Sequence, residues 1–206
     1  MKNFKEYILL AKRTESEAIE ASLKLKNKSV KRMMHAALGL ITEVIELFEG
    51  ITHKNIKNIK EEFGDVFWYL AIAYDASFDG FEYKIVLPNY PEEDNFWRSL
   101  GIPEIKELLL INIKEYVDIV HRIIFYDQYC VDGEELNKVL YKIYNSIIWA
   151  INGIMGIRKD APNKIRVIEI LEANLLKLDK RYGSSFSVKG ALCRDIEKEL
   201  SHIKED

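Results

Sequence analysis

The chain has 206 residues, 48% of them apolar and 31% charged, with a formal net charge of −3. That length suits one compact domain or two small ones. The charge balance lacks the basic excess of a nucleic-acid or anionic-membrane surface. Cys130 and Cys193 are far apart and form no CxxC pattern. Neither a disulfide framework nor a zinc site follows from them, and a reducing cytoplasm is expected. No stretch approaches ~18 uncharged apolar residues, so no membrane span is expected. The N-terminus has no signal-peptide pattern.

Four prolines and ten glycines lie mostly between long periodic segments, which is how a helical protein is punctuated. The periodicity predicts an all-α chain of about seven helices. The first covers 3–25. The second covers 30–51, with Ser29 as N-cap and Gly50 near its end. The third covers 56–79 and stops near Gly80. Residues 80–103 hold three of the four prolines and read as irregular. Pro103 opens a fourth helix over 104–128. Asp132 and Glu135 form a capping box for a fifth over 133–156. Pro162 opens a sixth over 162–181, stopped by Gly183, and a polar seventh covers 187–204.

"EEFGDVFWYL" (61–70) lines up with "EELNKVLYKI" (134–143), and "TEVIELFEGI" (42–51) with "KEYVDIVHRI" (114–123). Two related helical hairpins follow, at 30–79 and 104–156, with chance likeness between amphipathic helices as the plain alternative. Two such hairpins make an antiparallel four-helix core in a single domain spanning 1–206. The halves differ where Asp65 meets Lys138. Glu115, Asp118 and Glu135 are therefore expected to bind no metal.

Glu43 and Glu46 are three residues apart, as are Glu62 and Asp65, so each pair shares one helix face. Helices joined by so short a loop pack antiparallel, bringing the pairs to similar heights. Apolar residues surround both pairs and leave few positions for a polar face. Four close carboxylates repel one another and call for a cation. Oxygen ligands without histidine suit Mg2+ or Mn2+. The other reading has rim glutamates salt-bridged to lysines across the hairpin. Glu49 and Glu61 read as solvated or as a loose outer shell.

"HAALGLITEVIELFEG" followed by "IKEEFGDVFWYL" resembles the MazG-like branch of the all-α nucleoside triphosphate pyrophosphohydrolases, related to dimeric dUTPases. The shared pattern is E-x-x-E, a loop, then E-x-x-D, matched here by Glu43, Glu46, Glu62 and Asp65. "ANLLKLDKRYGSSFS" with "ALCRD" (173–195) is similar to a C-terminal segment of many MazG-like proteins. The likeness covers 30–79 and 165–195. It implies Mg2+- or Mn2+-dependent hydrolysis of a (d)NTP to (d)NMP and pyrophosphate, with the four carboxylates as metal ligands and catalytic groups. Glu43 or Glu46 would hold or deprotonate the attacking water. It also implies nucleotide or phosphate contacts for Asn174, Lys177, Arg181 and Tyr182, with Lys189 and Arg194 as weaker candidates. Lys177 and Arg181, one turn apart, would neutralise the leaving pyrophosphate; a solvated basic edge is the bland alternative. Asn174 would read base or sugar, and Tyr182 would stack on the base or pack. Trp68 and Tyr69 read as core first and as a base-pocket wall second. Short relatives complete the bundle by dimerising; here the second hairpin would do so, and a homodimer stays open.

Two further readings compete. A di-iron carboxylate bundle would draw on Asp118 with His121 and Glu199 with His202. A non-catalytic nucleotide-binding or helical interaction module would keep the motif without turnover. His35 and His53 read as surface or cap residues. Base, sugar and biological role leave no mark in the sequence.

Overall fold

The computed structural model describes residues 25–78, 100–126, 133–154 and 167–182. Among these there are five helices and no strand: α1 (Lys28–Thr52), α2 (Ile56–Ser77), α3 (Ile102–Phe125), α4 (Gly133–Ile154) and α5 (Val167–Tyr182). The helices expected at 3–25 and 187–204 lie outside the described residues, as do Asp132 of the expected capping box, Pro162 and Gly183. No helix among the described residues is long and apolar enough to cross a membrane.

Local chemistry sets the ends of the first two helices. Asn27, not Ser29, caps α1: its side-chain oxygen accepts from Ser29 N at 2.8 Å and Val30 N at 3.3 Å. An asparagine carboxamide caps as well as a serine hydroxyl, and here it stands two residues earlier. The helix also runs through Gly50 instead of ending there. It stops where Lys54 turns left-handed, at φ 55°. Lys54 N donates to Ile51 O and Asn55 N to Gly50 O, each at 3.1 Å, which closes the last carbonyls in a Schellman turn. Asn55 then caps α2 through Asn58 N at 3.1 Å. Gly101 precedes α3, and Pro103 sits in its first turn, where its missing N–H costs nothing.

The turn forces α2 back along α1. Arg32 near the start of α1 pairs with Asp75 near the end of α2, Gly39 faces Tyr69, and Gly50 faces Asn58. As numbers rise along one helix they fall along the other, so the two are antiparallel. The buried stripe of α1 is Met33, Ala36, Ala37, Leu40, Val44, Leu47 and Phe48, at the 3–4-residue spacing of one helix face. α2 is buried almost all round from Glu61 to Phe67, because α1, α4 and α5 all pack on it.

α3 and α4 form a second antiparallel pair. Gly153 faces Ile105, Ser146 Oγ accepts from Asn112 Nδ2 at 2.6 Å, Lys142 pairs with Glu115 at 2.7 Å, and Arg122 pairs with Glu135 at 3.2 Å. α3 also packs on α1, and α4 on α2. Arg122, one turn beyond Asp118 on α3, is the residue that faces Glu135.

Candidate metal and nucleotide site

Three carboxylates converge where α1 and α2 face each other. Glu43, Glu62 and Asp65 each offer an oxygen within 4.8 Å of the others. Glu62 is buried, at 6% exposure, and Glu43 and Asp65 are half-buried. Glu46 stands outside this trio, exposed at its rim, yet near enough for its charge to act on Glu43 and Glu62. Glu49 is exposed.

Burial and mutual repulsion govern the protons of the trio. Glu62 is pushed up to about 9, first by burial, then by the charges of Asp65, Glu43, Glu61 and Glu46. Glu43 is pushed up to about 7, first by burial, then by Asp65 and Glu46. A hydrogen bond from Glu62 and the charge of Lys177 pull the other way on Glu43. The protonated Glu62 carboxyl thus donates to the Glu43 carboxylate. Carboxylates this close repel one another, and a cation between them would relieve that repulsion. An all-oxygen set of this kind fits a hard divalent ion. Among the described residues no other group of three or more His, Cys, Asp or Glu is arranged to hold one.

α5 closes the site from the side. Asn174 and Lys177 lie on its buried face, one turn apart, with Ile170. Asn174 Nδ2 donates to Asp65 Oδ1 at 2.7 Å. Lys177 Nζ donates to Asp65 Oδ1 at 2.5 Å and also to Oδ2, and reaches Glu61 Oε1 at 3.3 Å. Gly64 makes this approach fit: a methyl there would lie 2.8 Å from Asn174 Cβ. Two readings of the sequence are corrected. Glu61 is not solvated but 7% exposed, because α5 covers it and supplies its ammonium partner. Lys177 is not on a solvated basic edge; it is fully buried. Residue spacing within α2 or α5 could not disclose this pair, since it joins positions 116 residues apart.

The remaining expected contacts are scattered. Arg181 and Tyr182 are half-buried, with the guanidinium 5.7 Å from the ring centre. Tyr182 bears on Tyr69, whose hydroxyl is raised by burial and then by Glu43, Asp65, Tyr182 and Glu46. Tyr69 and Trp68 are half-buried rather than core. Their rings stand edge to face at 4.8 Å, and exposed His35 meets Tyr69 at 5.3 Å and Trp68 at 6.1 Å. Gly39 leaves room for the Tyr69 ring, which would lie 2.1 Å from an added methyl. An aromatic shelf therefore flanks the carboxylates. His53 is the C-cap of α1. Lys189 and Arg194 lie outside the described residues, as does the Glu199–His202 pair of the di-iron reading.

The second hairpin holds a groove of about 510 Å³ lined by Glu115, Asp118, His121, Arg122, Tyr126 and Glu135. Its acids have basic partners: Lys142 for Glu115, Arg122 for Glu135 and Lys114, at 2.5 Å, for Asp118. They stand as ion pairs, not as a carboxylate cluster.

Comparison with known proteins places a family on the first hairpin. Residues 28–86 match the family model of the MazG nucleotide pyrophosphohydrolase domain. No curated protein and no solved structure matches the chain.

Proposed function

We propose, from the premise that residues 28–86 form a MazG nucleotide pyrophosphohydrolase domain, that this protein is a Mg2+-dependent hydrolase converting a (d)NTP to (d)NMP and pyrophosphate in the cytoplasm. The observation that carries the reading is the trio of Glu43, Glu62 and Asp65 within 4.8 Å inside that segment. These residues would hold Mg2+ or Mn2+. The bound ion would offset the triphosphate charge and polarise the phosphorus under attack. Glu43 and Glu62 would bind the ion as carboxylates. Glu46 or Glu43 would hold the attacking water or take its proton on a carboxylate. Arg181 can grip the departing pyrophosphate with two hydrogen bonds. Tyr69 and Tyr182 offer rings for stacking on a base. We also take the four helices α1 to α4 as the core of one domain of about seven helices, the second hairpin standing where a partner copy would pack.

The test is incubation with each (d)NTP and Mg2+, with chromatography for the nucleotide product and an assay for pyrophosphate. NMP and pyrophosphate in equal amounts are expected, and Glu62→Gln abolishes both while its circular dichroism stays helical. Undiminished turnover in that variant, or release of orthophosphate instead, sinks the assignment. One observation favours a second reading: Lys177 occupies Asp65, as it would in a nucleotide binder that had given up catalysis. Tight nucleotide binding with no product under any divalent ion would select that reading.

A further inference from the structure

Asp65 is claimed from two sides. It belongs to the carboxylate trio, and both its oxygens accept from the Lys177 ammonium, with Asn174 also on Oδ1. A divalent cation that takes an Asp65 oxygen meets a positive charge already there. Two cations at one half-buried carboxylate repel strongly, since the surroundings screen poorly. Yet Lys177 is fully buried, and a buried ammonium stripped of its acid is costly. It has a second acid within reach. Glu61 Oε1 lies 3.3 Å from Nζ, one turn before Asp65 on α2, buried and outside the trio.

We propose that Glu61, Lys177 and Asp65 form a buried relay, in which the Lys177 ammonium holds Asp65 in the cation-free protein and passes to Glu61 when a divalent cation takes Asp65. The proposal rests on the reading of Glu43, Glu62 and Asp65 as a metal site. It makes Lys177 and Glu61 positioning residues for Asp65 and keeps α5 docked in both states. It explains why a glutamate beside the ligands is buried at all.

The test is calorimetric titration of the nucleotide-free 206-residue chain with Mn2+, in wild type, Lys177→Met, Glu61→Gln and the double variant. Removing the ammonium frees Asp65, so Lys177→Met binds Mn2+ about tenfold more tightly. Removing the second acid strands the ammonium, so Glu61→Gln binds about tenfold more weakly. With Lys177 gone there is nothing to strand, so Glu61→Gln costs little in that background. Simple loss of charge would give the same penalty in both backgrounds, and additive shifts of that kind overturn the relay while leaving the metal site standing. Unchanged affinity in Lys177→Met does the same. Failure of the wild type to bind Mn2+ overturns the metal site and the relay with it. Should Lys177→Met not fold, the Lys177 ammonium resonance of the wild type carries the test. It is expected to shift on saturation with Mg2+, and an unmoved resonance overturns the relay.

Discussion

Glu62 carries the largest electrostatic burden in the site. Its carboxyl rises from an ordinary 4.5 to about 9, and that of Glu43 to about 7. An acid raised in the fold binds its proton more tightly folded than unfolded. Its favourable contribution is present below about 4.5 and is lost as pH climbs through the folded value. The cation-free protein is therefore expected to lose stability as pH rises from about 5 to about 9, first through Glu43 and then through Glu62. Calorimetric Tm values in EDTA across that range should fall. Glu62→Gln should flatten much of the slope, and saturating Mg2+ should flatten it in the wild type by stabilising the ionised carboxylates. Equal slopes in wild type and Glu62→Gln would contradict the assignment of the upper half of the window to Glu62. Spacing alone pointed to the acids; their protons depend on burial, which only the packed hairpin supplies.

At the scale of the element, α2 is the hub, because α1, α4 and α5 all lie against it. Its motif residues answer different neighbours: Glu62 faces the trio, Asp65 faces both trio and α5, and Glu61 faces Lys177. At Gly64, α5 comes so near that an added methyl would lie 2.8 Å from Asn174 Cβ. Gly64→Ala puts a methyl against Asn174 Cβ, which sits too near its own backbone to swing away. The expected cost is about 1–3 kcal/mol, typical of a methyl forced into a tight contact. Hydrogen exchange should quicken across 167–182 and stay unchanged in α3 and α4. Exchange that quickened evenly through the chain would show that Gly64 supports the whole fold and not the docking of α5. The five helices were legible from periodicity, since apolar spacing of 3–4 residues belongs to each segment by itself. Their caps were less so: Asn27 and Ser29 are equally good caps, and the choice between them turns on where packing begins.

Across the whole molecule, two hairpins of similar sequence carry opposite charge arrangements. In the first, carboxylates meet carboxylates; in the second, Glu115, Asp118 and Glu135 each meet a base. Asp118→Asn combined with Glu135→Gln should leave Mn2+ affinity and turnover within about twofold of wild type. It should shift stability by no more than about 1 kcal/mol, as exposed ion pairs contribute little. A marked loss of cation binding would place a second metal site there. The sequence by itself determined that the described segments are helical, where those helices run and which four acids mark the first hairpin, because these follow from short-range periodicity and an i, i+3 motif. Only the tertiary structure decided that Glu46 stands at the rim, that Glu61 is buried and that Lys177 is an internal counter-charge. Those facts arise from contacts between helices far apart in the chain, which leave no periodic trace in the residues themselves.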